Sequence, residues 1–151
     1  ITGAAGFIGS NLVRKFNRIG EDNLLLVDDI KNSLKKQNLR NLRYNKIVGI
    51  NNFWDWVRKN KFNKIDAIFH LGACSDTLEK NKKYLYENNV IYSQKLWNLS
   101  IDLDCKFIYS SSAATYGNGS LGFSDDHGLI PKLKPQRRHR AVISSLSSPP
   151  L

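Results

Sequence analysis

The chain has 151 residues, a hydrophobic fraction of 41% and a formal net charge of +10. That length accommodates one domain with a hydrophobic core and is too short for two domains of ordinary size. No apolar run approaches the ~20 residues that span a bilayer, and no signal segment opens the chain. We therefore expect a cytoplasmic protein with no membrane partner.

Charge and cysteine content narrow the class of protein further. Lys and Arg are scattered along the chain, often beside Asn, which favours a solvated basic surface over a polyanion site and predicts no nucleic-acid partner. A polyanion site is the less favoured alternative. Cys74 and Cys105 stand apart, with no His or Cys at metal-ligand spacing near either. This favours a reducing compartment and predicts no metal site.

The first predicted element is a glycine-rich turn directly after Ile1. The motif T-G-x-x-G-x-x-G places its glycines at Gly3, Gly6 and Gly9. Such glycines allow a tight turn out of a strand, a close backbone approach to a pyrophosphate and close packing of the next helix on the sheet. Because the chain contains no Met and the motif follows Ile1 at once, we expect the chain to begin inside a strand and to be a fragment.

A helix is predicted over 7–19, and Gly20 is placed to end it. The backbone N–H groups of its first turn, at Phe7 and Ile8, are placed to point at a phosphate. Its apolar residues are expected to share one buried face; they are Phe7, Ile8, Leu12, Val13, Phe16 and Ile19.

Strands and helices alternate along the rest of the chain. We predict buried strands at 23–29 and 65–73, a third strand at 105–113, a polar connection at 31–46, a short helix at 51–60 and a long amphipathic helix at 82–103. This rhythm predicts an α/β fold, a Rossmann-type doubly wound parallel sheet that is incomplete. The pattern ends at Pro135, so residues 1–135 are predicted to form the nucleotide-binding domain and 136–151 a disordered tail.

Asp28 closes the strand that follows the glycine motif, about 20 residues on, where a ribose-binding acid is expected. An acid at that position favours NAD. The next segment, however, supplies five cations that could meet the 2′-phosphate of NADP: Lys31, Lys35, Lys36, Arg40 and Arg43. An exposed basic loop is the other interpretation, so the sequence predicts NADP or NAD.

Several stretches together resemble the extended short-chain dehydrogenase/reductase superfamily, which includes the NAD-dependent epimerases and dehydratases. They are TGAAGFIGSNLV, VDDI, IFHLGACSDT, YLYENNVIYSQKL and FIYSSSAATYG, and the resemblance covers Ile1 to about Pro135. HLGACSDT and SSAATYG are most similar to the ADP-L-glycero-D-manno-heptose 6-epimerase family. That resemblance implies a nucleotide-sugar substrate, a tightly bound NAD(P), a role in lipopolysaccharide precursor synthesis and a homo-oligomer.

The resemblance also implies particular site residues. Asp29 stands where family members often have Asn, and its negative charge weakens the NADP assignment. Ser112 matches the catalytic serine, although a serine at a strand end is also a good helix cap. A polar residue on the long helix is the alternative interpretation of Asn88, and His70 is expected to be a core residue rather than a ligand. The implied cofactor contacts are Phe7, Ile8, Asp28, Asp29, Lys35, Leu71, Gly72, Ala73, Cys74, Ser75 and Asn88.

The catalytic Tyr-x-x-x-Lys pair of this superfamily is missing from the sequence. The family spacing after Lys134 places the Tyr at position 139 and the Lys at 143, where this chain has His139 and Ile143. We therefore expect the chain to be inactive as an epimerase, with a non-catalytic dinucleotide-binding module as the alternative. A reading-frame shift or mis-joined gene after Pro135 is the preferred explanation of the tail, ahead of a divergent tail or a nucleic-acid arm.

Overall fold

The structure, a computed structural model, describes residues 1–134 except 61, 63, 77 and 125. The predicted tail at 136–151, together with His139 and Ile143, lies outside the described residues. Two compact units are present. The first contains Ile1–Ser75 and Leu96–Tyr109, and the second contains Asp76–Lys95 and the chain from Ser110 onward.

The first unit is built on a parallel sheet of short strands. Its strands are β1 (Leu25–Asp28), β2 (Lys46–Gly49), β3 (Ala67–His70) and β4 (Lys106–Tyr109), which pair as β1 with β2 and β3 with β4. Thr2 joins the two pairs through parallel bridges to Val27 and His70. The start of the chain therefore lies between β1 and β3.

This strand order contains a reversal. From Thr2 the chain moves outward to β1 and β2, then returns to the other side of Thr2 for β3 and β4. In open parallel sheets, ligands bind outside the carboxyl ends of the strands at such a switch point. The predicted Rossmann-type parallel sheet is confirmed, and its few short strands agree with an incomplete fold.

Helices alternate with these strands along the chain. They are α1 (Phe7–Arg18), α2 (Ser33–Gln37), α3 (Phe53–Lys59), α4 (Lys82–Tyr86) and α5 (Tyr92–Asp102). A π-helical turn, Glu87–Ile91, joins α4 to α5, so the helix predicted at 82–103 is one helical run with a π segment inside it. Gly20 ends α1 as predicted: it has a φ of 85°, and the Glu21 N–H donates to the Phe16 carbonyl at 2.9 Å.

The buried face of α1 differs from the prediction. Phe7, Ile8 and Ile19 are exposed, whereas Gly9, Ser10 and Val13 are buried. The reason is that the start of α1 packs so closely against the glycine turn that only small residues fit there. Further along, Phe16 contacts the ring of Phe69 in β3 edge-on, with centroids 5.4 Å apart.

The sequence did not reveal two elements, one inside the polar connection predicted at 31–46 and one that begins at its last residue. One is α2, five residues long and capped by Asn32, whose Oδ1 accepts from the Lys35 N–H at 3.2 Å. The other is β2, in which only Val48 is buried. Elements this short, and mostly exposed, lack the apolar periodicity on which the prediction depends.

The core of the first unit lies between α1 and the β1 side of the sheet. Its buried cluster comprises Ala4, Ala5, Val13, Leu24, Leu26 and Leu39.

Within the part of the chain that the structure describes, no helix is both long and apolar enough to cross a membrane. In the same residues, no group of three or more His, Cys, Asp or Glu side chains could hold a metal ion.

Candidate functional site

The glycine turn lies at the carboxyl edge of the sheet and packs backbone to backbone. Gly3 has a φ of 65°, and a Cβ added to it would lie 2.7 Å from the Cα of Gly72. A Cβ on Gly9 would overlap the carbonyl oxygen of Gly3. Three chain segments thus meet at distances that only glycine permits: the turn, the first turn of α1 and the loop after β3.

Thr2 fastens this turn to β3. Its Oγ1 accepts from the Gly72 N–H at 3.2 Å and lies 2.6 Å from Nδ1 of His70. Burial, and secondarily the nearby amino-terminal ammonium, lower the pKa of His70 to about 4, so its imidazole is neutral at pH 7. His70 is buried, as expected of a core residue, and its contact with Thr2 helps to hold the chain at the switch point.

The first turn of α1 presents free backbone donors. Phe7 and Ile8 expose their side chains, and the N–H groups of a first helical turn have no acceptor within the helix. The helix macrodipole adds about half a positive charge at the same end. Because this end of α1 follows Gly6 directly, an anion held there would also contact the glycine turn.

Asp28 is fixed at the end of β1 with its carboxylate directed at the same turn. Its side chain is only 5% exposed, and its Oδ2 accepts from the Ala5 N–H at 2.8 Å. Its Oδ1 accepts from the Asp29 N–H at 2.7 Å and forms an ion pair with Lys35 Nζ at 3.3 Å. Asp29 is exposed, and its own Oδ1 accepts from the Lys31 N–H at 3.0 Å.

The structure separates the five cations that the sequence left equivalent. Lys35 contacts Asp28 directly. Arg43 instead binds Asp22 and the carbonyl oxygen of Asn17, near the opposite end of α1. Arg40 lines a cavity with Arg43 near that end of the helix. Lys35 is therefore the cation that lies beside Asp28, where the 2′-phosphate of NADP is expected.

The loop Leu71–Ser75 continues the site on the β3 side. The Leu71 N–H donates to the Thr2 carbonyl oxygen at 3.2 Å, and Gly72 lies against Gly3. Ala73 and Ser75 are exposed, and the Cys74 thiol is partly buried. This loop and Asp28 therefore flank the glycine turn on its two sides.

Two of the predicted site residues belong to the second unit. Asn88 lies in the π-helical turn, partly buried, and its Nδ2 donates to Asn89 Oδ1 at 3.0 Å. Ser112 is exposed, and its Oγ accepts from the Ala114 N–H at 3.2 Å, which caps the 3₁₀ turn Ala113–Tyr116. Ser112 thus has the capping contact that was its alternative interpretation.

Sequence reasoning missed the residues that orient this site. Ala5 positions Asp28 through its backbone N–H, and Thr2 positions Gly72 through its hydroxyl. Asn38 adds a contact from its Nδ2 to the Ala5 carbonyl oxygen at 2.9 Å. The signal available in the sequence was the placement of small residues, Ala4 and Ala5, between the glycines, where any larger side chain would separate the turn from β1.

Comparisons with known proteins agree with this geometry. The profile of the NAD dependent epimerase/dehydratase family matches residues 1–139. An ADP-L-glycero-D-manno-heptose-6-epimerase of Nitratidesulfovibrio vulgaris is 46% identical over 136 residues, which cover 89% of this chain and 42% of that relative. The chain therefore spans less than half the length of such relatives.

Two solved structures share the fold. The Helicobacter pylori ADP-L-glycero-D-manno-heptose-6-epimerase superposes with a TM-score of 0.76 at 26% identity, covering 96% of this chain and 47% of that one. The UDP-glucuronic acid 4-epimerase of Bacillus cereus, solved in complex with NAD, gives a TM-score of 0.64 at 26% identity, covering 89% of this chain and 44% of that one.

Proposed function

Because the chain belongs to the NAD-dependent epimerase/dehydratase family, we propose that it supplies the dinucleotide-binding part of a sugar-nucleotide epimerase. The proposed substrate is an ADP-activated heptose, since the relative that is 46% identical carries that name. From the family resemblance we further propose a cytoplasmic location, a homo-oligomeric parent protein and a role in lipopolysaccharide precursor synthesis.

The observation that carries the proposal is the meeting of the glycine turn, Asp28 and the Gly72 loop at the carboxyl edge of the sheet. The glycines leave the space that side chains would fill, so a pyrophosphate can approach the first turn of α1. Asp28 Oδ2 has one backbone donor and retains a lone pair that can accept from a ribose hydroxyl. These residues fit a nicotinamide dinucleotide, with the adenosine ribose at Asp28.

The bound nicotinamide would supply the reversible hydride transfer by which a sugar carbinol is oxidised to a ketone and reduced again. Ser112 would donate its O–H to the reacting sugar oxygen, because its Oγ only accepts in the contact with the Ala114 N–H and the hydroxyl proton stays available. A general base must also take and return the hydroxyl proton. None of the six tyrosines of the chain is followed by Lys four positions later, so the sequence as given lacks that base.

The first experiment tests the activity. We expect no epimerase turnover from the 151-residue chain, because it lacks the Tyr-x-x-x-Lys pair. A chimera that continues after Pro135 with the remaining sequence of the Nitratidesulfovibrio vulgaris relative should epimerise the ADP-heptose. In the chimera, Ser112→Ala should lower kcat on the order of 10²-fold, as the loss of one transition-state donor does. Turnover by the 151-residue chain alone would contradict our interpretation of its tail.

The second experiment tests the cofactor. If Lys35 meets the 2′-phosphate of NADP, Lys35→Ala should weaken NADP binding by ~1–3 kcal/mol and leave NAD binding nearly unchanged. Lys36→Ala is the matched control, since Lys36 is an exposed neighbour on the same short helix with no ion pair among the described residues. Titration of both nucleotides against the three proteins measures the effect. Equal losses for NAD and NADP would show that Lys35 does not contact the 2′-phosphate.

A second candidate function is a non-catalytic dinucleotide-binding module. The observation in its favour is again the missing Tyr-x-x-x-Lys pair. The chimera separates the two functions, because a module that binds NAD(P) only would stay inactive when the remaining sequence is supplied. DNA sequencing beyond codon 135 adds an independent test: an alternative frame that encodes the pair favours the epimerase.

A further inference from the structure

A cavity lined by arginines lies away from the glycine turn. It has a volume of about 420 Å³, between the second half of α1 and the segment that precedes β2. Arg14 and Arg18 reach it from α1, and Arg40 and Arg43 from the segment before β2. Its described lining contains no acidic residue and no lysine.

Arginine is concentrated at this cavity. Lysine is the commoner base in this chain, yet four of the five arginines before Pro135 line this one cavity; Arg58, in α3, is the fifth. Lysine and arginine are not equivalent for binding an oxyanion. The planar guanidinium presents paired N–H donors that match a phosphate or carboxylate, whereas the lysine ammonium is a point charge.

Hydrogen bonds hold part of the lining. The carboxamide of Asn17 binds the backbone of Arg43 on both sides: Oδ1 accepts from its N–H at 2.7 Å, and Nδ2 donates to its carbonyl oxygen at 2.9 Å. Arg43 also donates through Nη2 to the Asn17 carbonyl at 3.1 Å, and Arg14 donates through Nη1 to Asn11 at 2.8 Å. Two of the four guanidinium groups are therefore oriented before any ligand binds.

The positive charge of the cavity is only partly neutralised. Asp22 pairs with Arg43 at 3.4 Å, and both side chains are more than half exposed. Arg14, Arg18 and Arg40 form no ion pair among the described residues. The carboxyl end of α1 contributes about half a negative charge, which falls well short of balancing these cations. A dianionic ligand would relieve their mutual repulsion.

The cavity is separate from the candidate dinucleotide site. From Phe7 to Arg18 the helix rises about 16 Å, so the two sites lie at opposite ends of α1. The glycine turn faces the carboxyl ends of the strands, whereas Arg43 precedes the amino end of β2. A ligand here would not occupy the place of NAD(P).

We propose that Arg14, Arg18, Arg40 and Arg43 form a binding site for a small phosphorylated ligand, independent of the dinucleotide site. The volume admits a diphosphate or a sugar phosphate. Arg18 and Arg40 supply the adaptable guanidinium groups, and Arg14 and Arg43 the fixed ones.

The test is calorimetric titration of the 151-residue chain with inorganic pyrophosphate, followed by glucose 6-phosphate to separate a diphosphate from a sugar-phosphate preference. We expect saturable binding that the double variant R18Q/R40Q weakens about tenfold or more. R58Q/K59Q in α3 is the control that removes the same charge elsewhere and should bind as the parent does. Since Arg18 and Arg40 are exposed, R18Q/R40Q is expected to fold.

A charge-preserving variant, R18K/R40K, tests the geometry. It should also lose affinity, because lysine lacks the paired donors. Unchanged binding by R18Q/R40Q would show that pyrophosphate binds without these two arginines and would overturn the proposal. Full binding by R18K/R40K would show that positive charge alone explains the affinity, and it would overturn the proposal as well. Saturable binding of a short RNA with no binding of either small phosphate would also overturn it.

Discussion

At the scale of single residues, the site depends on polar groups that are buried and satisfied. Thr2 uses one hydroxyl to reach both the Gly72 N–H and the His70 ring. Asp28 receives two backbone N–H groups and Lys35. Buried polar groups stay in place only when such partners are supplied. The loss of one partner is therefore expected to cost more than the loss of an exposed ion pair.

We predict that His70 makes the stability of the chain depend on pH. The folded imidazole has a pKa of about 4, compared with 6.5 for an ordinary histidine, so between these values the unfolded chain binds the proton more readily. The free energy of unfolding should therefore fall as the pH drops from 6.5 to 4, by about 3 kcal/mol from this residue. Urea denaturation across this range, beside His70→Gln, measures it. A His70→Gln protein with the same pH slope as the parent would contradict the assignment.

At the scale of elements, the close approach of backbones explains the packing of α1. Gly9 lies within the first turn of the helix and contacts the Gly3–Ala4 backbone. Because Gly9 has no side chain, α1 can pack closely on the sheet. Gly6 has an ordinary extended conformation, with a φ of −72°, and more room beside it. The two glycines belong to one motif, but Gly6 has more room for a side chain than Gly9.

Alanine substitution at these two glycines should separate the tolerances. Gly9→Ala forces a methyl group into backbone atoms that cannot rotate away, and it should lower the free energy of unfolding by ~1–3 kcal/mol or more. Gly6→Ala meets only the Gly3 carbonyl oxygen, 3.2 Å away, and should lose less. Urea denaturation of both variants gives the comparison. The prediction fails if Gly6→Ala is the more destabilised protein.

The sequence predicted those elements whose cause is local. The glycine spacing and the apolar positions of 7–19 predicted α1 and its end at Gly20, and the apolar runs predicted β1, β3 and β4. It did not predict β2, because Lys46–Gly49 has one buried residue and its pairing partner lies 21 positions away. For the same reason it could not separate Lys35 from Arg43, whose partner Asn17 is 26 residues distant.

At the scale of the molecule, β4 leaves an apolar surface beside an edge of the sheet. It pairs with β3, and no other strand among the described residues pairs with it. Ile108 and Tyr109 are each more than two fifths exposed. On α5, which contacts β4 through Trp97 and Phe107, Ile101 is exposed as well. Exposed edges with apolar side chains promote association.

We expect the 151-residue chain to self-associate through this edge. Ile108→Lys should shift the equilibrium toward monomer, because a charged side chain disfavours edge pairing. Leu34→Lys is the matched control, since Leu34 is an equally apolar, exposed residue on α2. Sedimentation at a series of concentrations measures the change. If Leu34→Lys dissociates the chain as strongly as Ile108→Lys, the contact is general rather than specific to β4.

The position of the first two residues has a practical consequence for expression of this chain. The Ile1 ammonium donates to the Leu25 carbonyl at 2.7 Å, and burial lowers its pKa to about 6. An affinity tag fused before Ile1 would replace that amino group with a peptide N–H, next to the point where Thr2 bridges β1 and β3. The fusion would also remove the positive charge that this group carries below its pKa and that helps to lower the pKa of His70. The sequence fused before Ile1 is therefore expected to affect how the start of the chain packs between β1 and β3.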